Sequence, residues 1–423
     1  MTVPEAPAAA PAGPRSPFLY RDYAAYQASR FCVTVAIQMQ GLAVGYHVYR
    51  LTGRTLDLAF VGLAQFLPAF VLSLFVGHVA DRFDRRWILS LSGVAQAVVS
   101  ALLALIAWTG TGGTPAIYAV LLLGGTARAF AGPAGSALMP TLVPGPTVPR
   151  AIAWSSTVWQ IATITGPALG GLVYGLARAP TWVYATCLVV ELASSVGFLV
   201  VRARPQVARR VTVTLDSLFA GVRYVRSKPV LLGAISLDLF AVLLGGAVAL
   251  LPVFAEDVLR VGVGGLAWMR AMPAVGAASM ALWLSQRPLS RRSGRWMFSA
   301  VAVFGLATIT FGLSRSFPLS LAALFVIGAS DMVSVFVRQT LIQLRTPDEM
   351  HGRVSAVNMV FVGASNELGE FESGVVATLF GDGPAGAIRA VVVGGIGTLC
   401  VVGLWASLFP ALRTVDKLDS SET

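Results

Sequence analysis

The sequence predicts an all-α polytopic membrane protein with twelve transmembrane helices in two pseudo-symmetric six-helix bundles, and three observations predict it. Of 423 residues, 56% are hydrophobic and only 12% charged, with a mean hydropathy of +0.74, whereas a soluble domain carries about a quarter charged residues. Apolar windows of about 20 residues, enough to cross a hydrocarbon core, recur between short polar breaks. The longest hydrophilic connection, Arg202 to Lys228, falls near the middle.

Taken in order, residues 1–20 are rich in Ala and Pro without an apolar signal-peptide core, and read as a disordered cytoplasmic tail. The first bundle covers 21–201, with helices at 22–49, 55–79, 87–109, 115–139, 150–177 and 180–201. Residues 202–229 form a cytoplasmic linker. Leu215, Leu218, Phe219, Val222 and Val225 recur there at helical spacing between charges, which predicts an amphipathic helix along the membrane face. The second bundle covers 230–412, with helices at 230–254, 263–285, 296–314, 317–341, 353–380 and 385–410; 413–423 form a second cytoplasmic tail.

Orientation follows from the basic residues, because basic loops stay on the cytoplasmic side. With both termini inside, the inner segments hold 21 Lys and Arg and the outer loops five: Arg50, Arg54, Arg178, Arg260 and Arg315. The net charge of +11 is therefore a topology signal and not a nucleic-acid footprint. Cys32, Cys187 and Cys400 lie in apolar windows without metal or redox spacing, so they read as packing residues, and no metal or cofactor is expected. A weak internal repeat supports two halves. Arg82, Arg86 and Trp87 correspond at an offset of 209 to Arg291, Arg295 and Trp296, and Arg128 falls near the offset of Arg338.

The loop after the second helix reads Gly77-His-Val-Ala-Asp81-Arg82-Phe-Asp84-Arg85-Arg86. Gly77 permits close helix approach, and Asp81 with the arginines offers a switchable ion-pair latch. Here the sequence resembles the major facilitator superfamily. Asp84 stands where that family's motif has a second Gly. Helix four carries Arg128 four residues before Gly132, resembling a second family motif; an intramembrane Arg is costly unless it faces a cavity or partner. Helix five carries Gly166, Pro167, Gly170 and Gly171, resembling the segment associated with antiporters, where Pro and Gly suit a hinge. With Arg30 and the segment Leu341 to Phe380, these residues resemble the branch that includes enterobactin exporters.

Away from the first turns, six acids fall inside predicted helices: Glu191, Asp238, Asp331, Glu367, Glu370 and Glu372. Such groups face a pathway or an opposite charge. Asp238, Asp331, Glu370 and Glu367 are the candidate proton carriers, and Asp238 is expected to pair with Arg30 across the pseudo-twofold axis. The resemblance implies that helices one, four, seven and ten line a central cavity, which would collect Arg30, Arg128, Asp238, Asp331 and Arg338. Arg30, Arg128 and Arg338 are then the substrate-cavity candidates. The expected function is proton-coupled export of a small amphipathic molecule, a siderophore or drug, by a monomer in the cytoplasmic membrane; a proton symporter and a non-transporting sensor are the rivals. No HExxH or GxSxG constellation for an enzyme occurs.

Overall fold

The computed structural model describes residues 16–202, 215–287 and 292–415; both terminal tails lie largely outside that range. Six long helices come first: α1 (Arg21–Thr52), α2 (Thr55–Arg82), α3 (Arg85–Thr109), α4 (Gly113–Leu138), α5 (Val148–Ala177) and α6 (Pro180–Val200). A short α7 (Leu215–Ser227) follows, with Val225 buried and Phe219 exposed. The second set is α8 (Pro229–Leu244) continued by the single turn α9 (Leu251–Val253), then α10 (Gly262–Gln286), α11 (Ser293–Leu313), α12 (Phe317–Arg345), α13 (Asp348–Leu379) and α14 (Gly383–Leu408), with a last turn α15 (Pro410–Arg413). Proline lies in the first turns of α5, α6, α8, α12 and α14, where its missing amide costs no helical bond. Gly53 ends α1 in the left-handed region at φ 64°, which a side chain would strain.

Among the described residues, nine helical segments are long and apolar enough to cross a membrane unaided. The other long helices, α5, α10 and α13, fall short of that on hydropathy. Their position explains it. α5 packs on α10 and α13 on α2, so these helices join the two sets and need not present a fully apolar surface to lipid. Within the sets, α1, α5 and α6 pack together, as do α3, α4 and α6, and in the second set α10, α11, α12 and α14. Antiparallel succession brings the start of α1 and the end of α14 to one end of the molecule, here the terminal end; the opposite one is the distal end.

The seventh apolar segment departs from the continuous helix expected over 230–254. α8 stops at Leu244, and the chain proceeds through a 3-10 turn (Ala247–Leu250), α9 and a π-helical turn (Phe254–Val258). Gly245, Gly246 and Pro252 account for the break. A Cβ on Gly246 would run into the Gly369 backbone of α13, so only glycine permits that approach. Such interrupted helices are tolerated in a membrane where they line a cavity.

Candidate functional site

Two cavities lie in succession along α1. The first, about 220 Å³, is bounded by Tyr26, Arg30, Thr34 and Ile37 of α1, by Gln96 of α3, by Arg128 of α4 and by Trp159 of α5. The second, about 150 Å³, lies between the two sets and is bounded by Ile37, Gln38 and Gly41 of α1, Gln65 of α2, Arg128, Pro252 of the broken segment, Arg270 of α10 and Glu370 of α13. Ile37 and Arg128 belong to both walls. Arg128 is held there by Gln65, whose side-chain oxygen accepts a hydrogen bond from Nη2 at 2.9 Å, and Arg30 donates to the Tyr26 hydroxyl at 3.2 Å.

The distal end is closed by polar contacts between the sets. The Tyr46 hydroxyl donates to Glu256 and the Tyr49 hydroxyl to Asp257, and Arg50 lies 3.8 Å from Glu256. Asp382, in the turn before α14, accepts from the Thr55 amide at 2.7 Å and its hydroxyl at 2.5 Å, and from the Gly383 amide at 3.0 Å. Burial pushes the Asp382 carboxyl up, but the hydrogen bonds from Thr55 and Gly383 and the Arg54 charge outweigh it and leave the group below its ordinary range. Nothing in the local sequence marks these contacts, because Tyr46 and Glu256 are 210 residues apart.

The second set holds a separate cluster of charge. Arg338 Nη1 lies 2.7 Å from Asp238 Oδ2, with side chains only 3% and 5% exposed, and the Ser334 hydroxyl donates to Asp238 Oδ1 at 2.8 Å. Asp331, seven residues before Arg338 and so on the same face of α12, lies in the field of both Asp238 and Arg338. These three therefore do not join Arg30 and Arg128 in one chamber. The pairing of Asp238 with Arg30 is replaced by pairing with Arg338, which competes better because it lies within the same set and out of water. Arg338 bounds neither of the two cavities. A space of about 10 Å³ between Asp238, Asp331, Ser330 and Ser334 leaves room for roughly one water.

Glu191 is fully buried between α3 and α6, accepting from the Ser100 hydroxyl at 2.7 Å, and lines neither cavity. Glu370 does line the path; the side chains of Glu367 and Asp81, and the surroundings of Gly77, lie outside the described set. Of the other latch residues, Arg82 is exposed at the end of α2, and Arg85 donates to the Ala137 carbonyl at 3.1 Å. Arg86 holds Asp84 in a two-point pair, with Nη2 2.5 Å from Oδ2, and reaches the Val201 carbonyl at 3.0 Å. Asp84 caps α3 with an extended backbone, φ −61° and ψ 120°, so no glycine is needed where the family motif has one. The hydrogen bonds from Arg86 hold its carboxyl below the ordinary range.

The antiporter-type segment serves packing on both sides. α5 runs unbroken through Pro167. A Cβ on Gly166 would meet Gln38 and one on Gly170 would lie 3.0 Å from the Met39 Cα, whereas one on Gly171 would meet Ala267 of α10. The glycines thus bring α5 against α1 within its own set and against α10 of the other. Close by, Gln160 donates across the interface to the Ala274 carbonyl at 2.8 Å. The sequence signal for Arg270 is the one that singles out Arg128, a charge inside an apolar helix, but no motif accompanies it.

Two helical sets around a shared polar path, closed at one end by contacts between them, define a membrane transport protein. The chain belongs to the Major Facilitator Superfamily, whose profile matches residues 23–369. It is similar to enterobactin exporter EntS of Shigella dysenteriae serotype 1 (strain Sd197), at 27% identity over 354 residues, covering 80% of this chain and 82% of that protein. It is equally similar to EntS of Escherichia coli O1:K1 / APEC, at 27% identity over 363 residues with the same coverage. Among solved structures, it shares its fold with nucleoside transporter NupG (D323A mutant), at TM-score 0.74 and 11% identity, covering 92% of this chain and 100% of that one. A D-xylose-proton symporter matches at TM-score 0.70 and 12% identity, covering 93% and 99%.

Proposed function

We propose that the protein exports a small amphipathic molecule in exchange for protons, by alternating access of its two helical sets, in the cytoplasmic (inner) membrane with both termini in the cytoplasm. The observation that carries this reading is the succession of two cavities along α1, joined at Arg128 and capped at the distal end by contacts between the sets. A path lined from both sets and sealed at one end is what rocking of one set against the other opens and closes. The distal end then faces outward, in keeping with the basic residues gathered at the terminal end.

Protons are assigned to Asp238, which pairs with Arg338, and to Asp331, which lies in the field of both. Two carboxylates against one cation leave room for one proton, and its arrival or loss changes which acid Arg338 holds. Asp331, the more exposed of the two acids, is the entry point. The similarity to enterobactin exporters supports export over uptake. Charge supports an anionic cargo: Arg30, Arg128 and Arg270 face the path against Glu370, while Asp238 is neutralised away from it.

The test is transport in proteoliposomes loaded with enterobactin, with a cationic lipophilic dye as contrast. Lowering the external pH is expected to drive enterobactin out and leave the dye unaffected. Movement of the probe in the same direction as the proton would make the protein a symporter, and no proton-dependent movement of either would remove the transport reading.

A further inference from the structure

The second cavity contains more than a passage. Arg270 reaches from α10 of the second set across to α1 of the first: a Cβ built on Gly41 would lie 3.4 Å from Arg270 Nη1, so the guanidinium rests on the bare backbone of that glycine. Glu370 does the same on the next helix, since a Cβ on Gly62 of α2 would lie 3.5 Å from Glu370 Oε2. Arg128 closes the third side from the first set, oriented by Gln65. Glu370 thus lies in the field of two guanidinium groups, one from each set. A planar guanidinium suits a carboxylate or similar planar anion by two-point hydrogen bonding.

The geometry points to a seat for the anionic group of the transported molecule between Arg128 and Arg270, with Glu370 as the built-in carboxylate that holds the seat when it is empty. This rests on the transport reading and names the chemistry of its cargo: a molecule presenting one planar organic anion. The volume, about 150 Å³, matches cavities that take a single benzene ring, so the anion can be carried on an aromatic ring. An anion between one arginine of each set also gives it a direct hold on the relation between the sets. Arg270 is then a specificity-determining residue, and Glu370 its competitor for ligand.

Benzoate, its neutral isostere benzamide and benzylammonium are suitable probes, with binding to the purified full-length protein in nanodiscs measured by saturation-transfer NMR titration. Benzoate is expected to bind, and benzamide and benzylammonium at least about tenfold more weakly. Glu370→Gln, which keeps shape and removes the competing charge, is expected to tighten benzoate roughly tenfold. Arg270→Gln is expected to weaken it by a similar factor. Equal binding of benzoate and benzamide would overturn the proposal, and so would Glu370→Gln leaving benzoate affinity unchanged or weaker. Should Arg270→Gln not fold, the Glu370 variant and the isostere pair still decide. Binding in the expected pattern by a protein that moves nothing in proteoliposomes would uphold the seat and sink the transport reading; transport without charge discrimination would do the reverse.

Discussion

At the scale of single residues, the buried pair Asp238 and Arg338 is costly to break. Removing one partner of a buried ion pair leaves an uncompensated charge and costs about 3–5 kcal/mol. Asp331 bears on that outcome here, because it lies in the field of both partners. Asp238→Asn and Asp331→Asn are each expected to keep near-native thermal stability, whereas the double variant strands the guanidinium and loses about 3–5 kcal/mol, recovered in large part by adding Arg338→Met. Thermal unfolding of the four purified variants checks this. Additive losses would show that the two acids do not share one cation. The three residues were individually visible in the sequence as charges in apolar helices, but their pairing was not. An offset of 209 between halves suggested Arg30 for Asp238, and only packing of α8 on α12 shows the nearer partner.

At the scale of elements, the long apolar windows made nearly every helix legible, since about 20 apolar residues between charges leave few alternatives in a bilayer. The break after Leu244 was legible in principle from Gly245, Gly246 and Pro252, but hydropathy alone runs straight through it. The distal closure was not legible, because its partners come from helices remote in sequence and carry ordinary loop residues. Asp382 makes that closure testable by pH. Its carboxyl is held below the ordinary value of about 3.9, so its contribution is fully present above that value and is lost as pH falls through the depressed one. Spin labels at Leu51 and Leu379, both exposed near the distal end, are expected to keep a fixed separation at pH 5 to 8 and to separate below about pH 4. Glu256 and Asp257 are the other carboxylates of the closure, so Asp382→Asn is the control: it removes the Asp382 contribution and leaves theirs in place. Identical pH profiles in both proteins would mean that Asp382 does not hold the closure.

At the scale of the whole molecule, two helical sets meet along α5 with α10 and α2 with α13, and seven of the intrahelical charges fall into two groups with different surroundings. Those of the path, Arg30, Arg128, Arg270 and Glu370, border open space; Asp238, Asp331 and Arg338 lie in the second set, beside almost none. On the proposed function, cargo falls to the first group and protons to the second, and coupling and transport are then separable by mutation. On that reading Asp238→Asn still folds, with Asp331 left to balance Arg338, but no longer exchanges a proton. The most direct measurement is therefore paired flux in proteoliposomes containing wild type or Asp238→Asn, using whichever probe the wild type moves. The account predicts that the variant loses transport driven by a pH gradient and retains exchange of labelled for unlabelled probe across the membrane. Gradient-driven transport at the wild-type rate, or loss of exchange in a protein that is demonstrably folded, would contradict it.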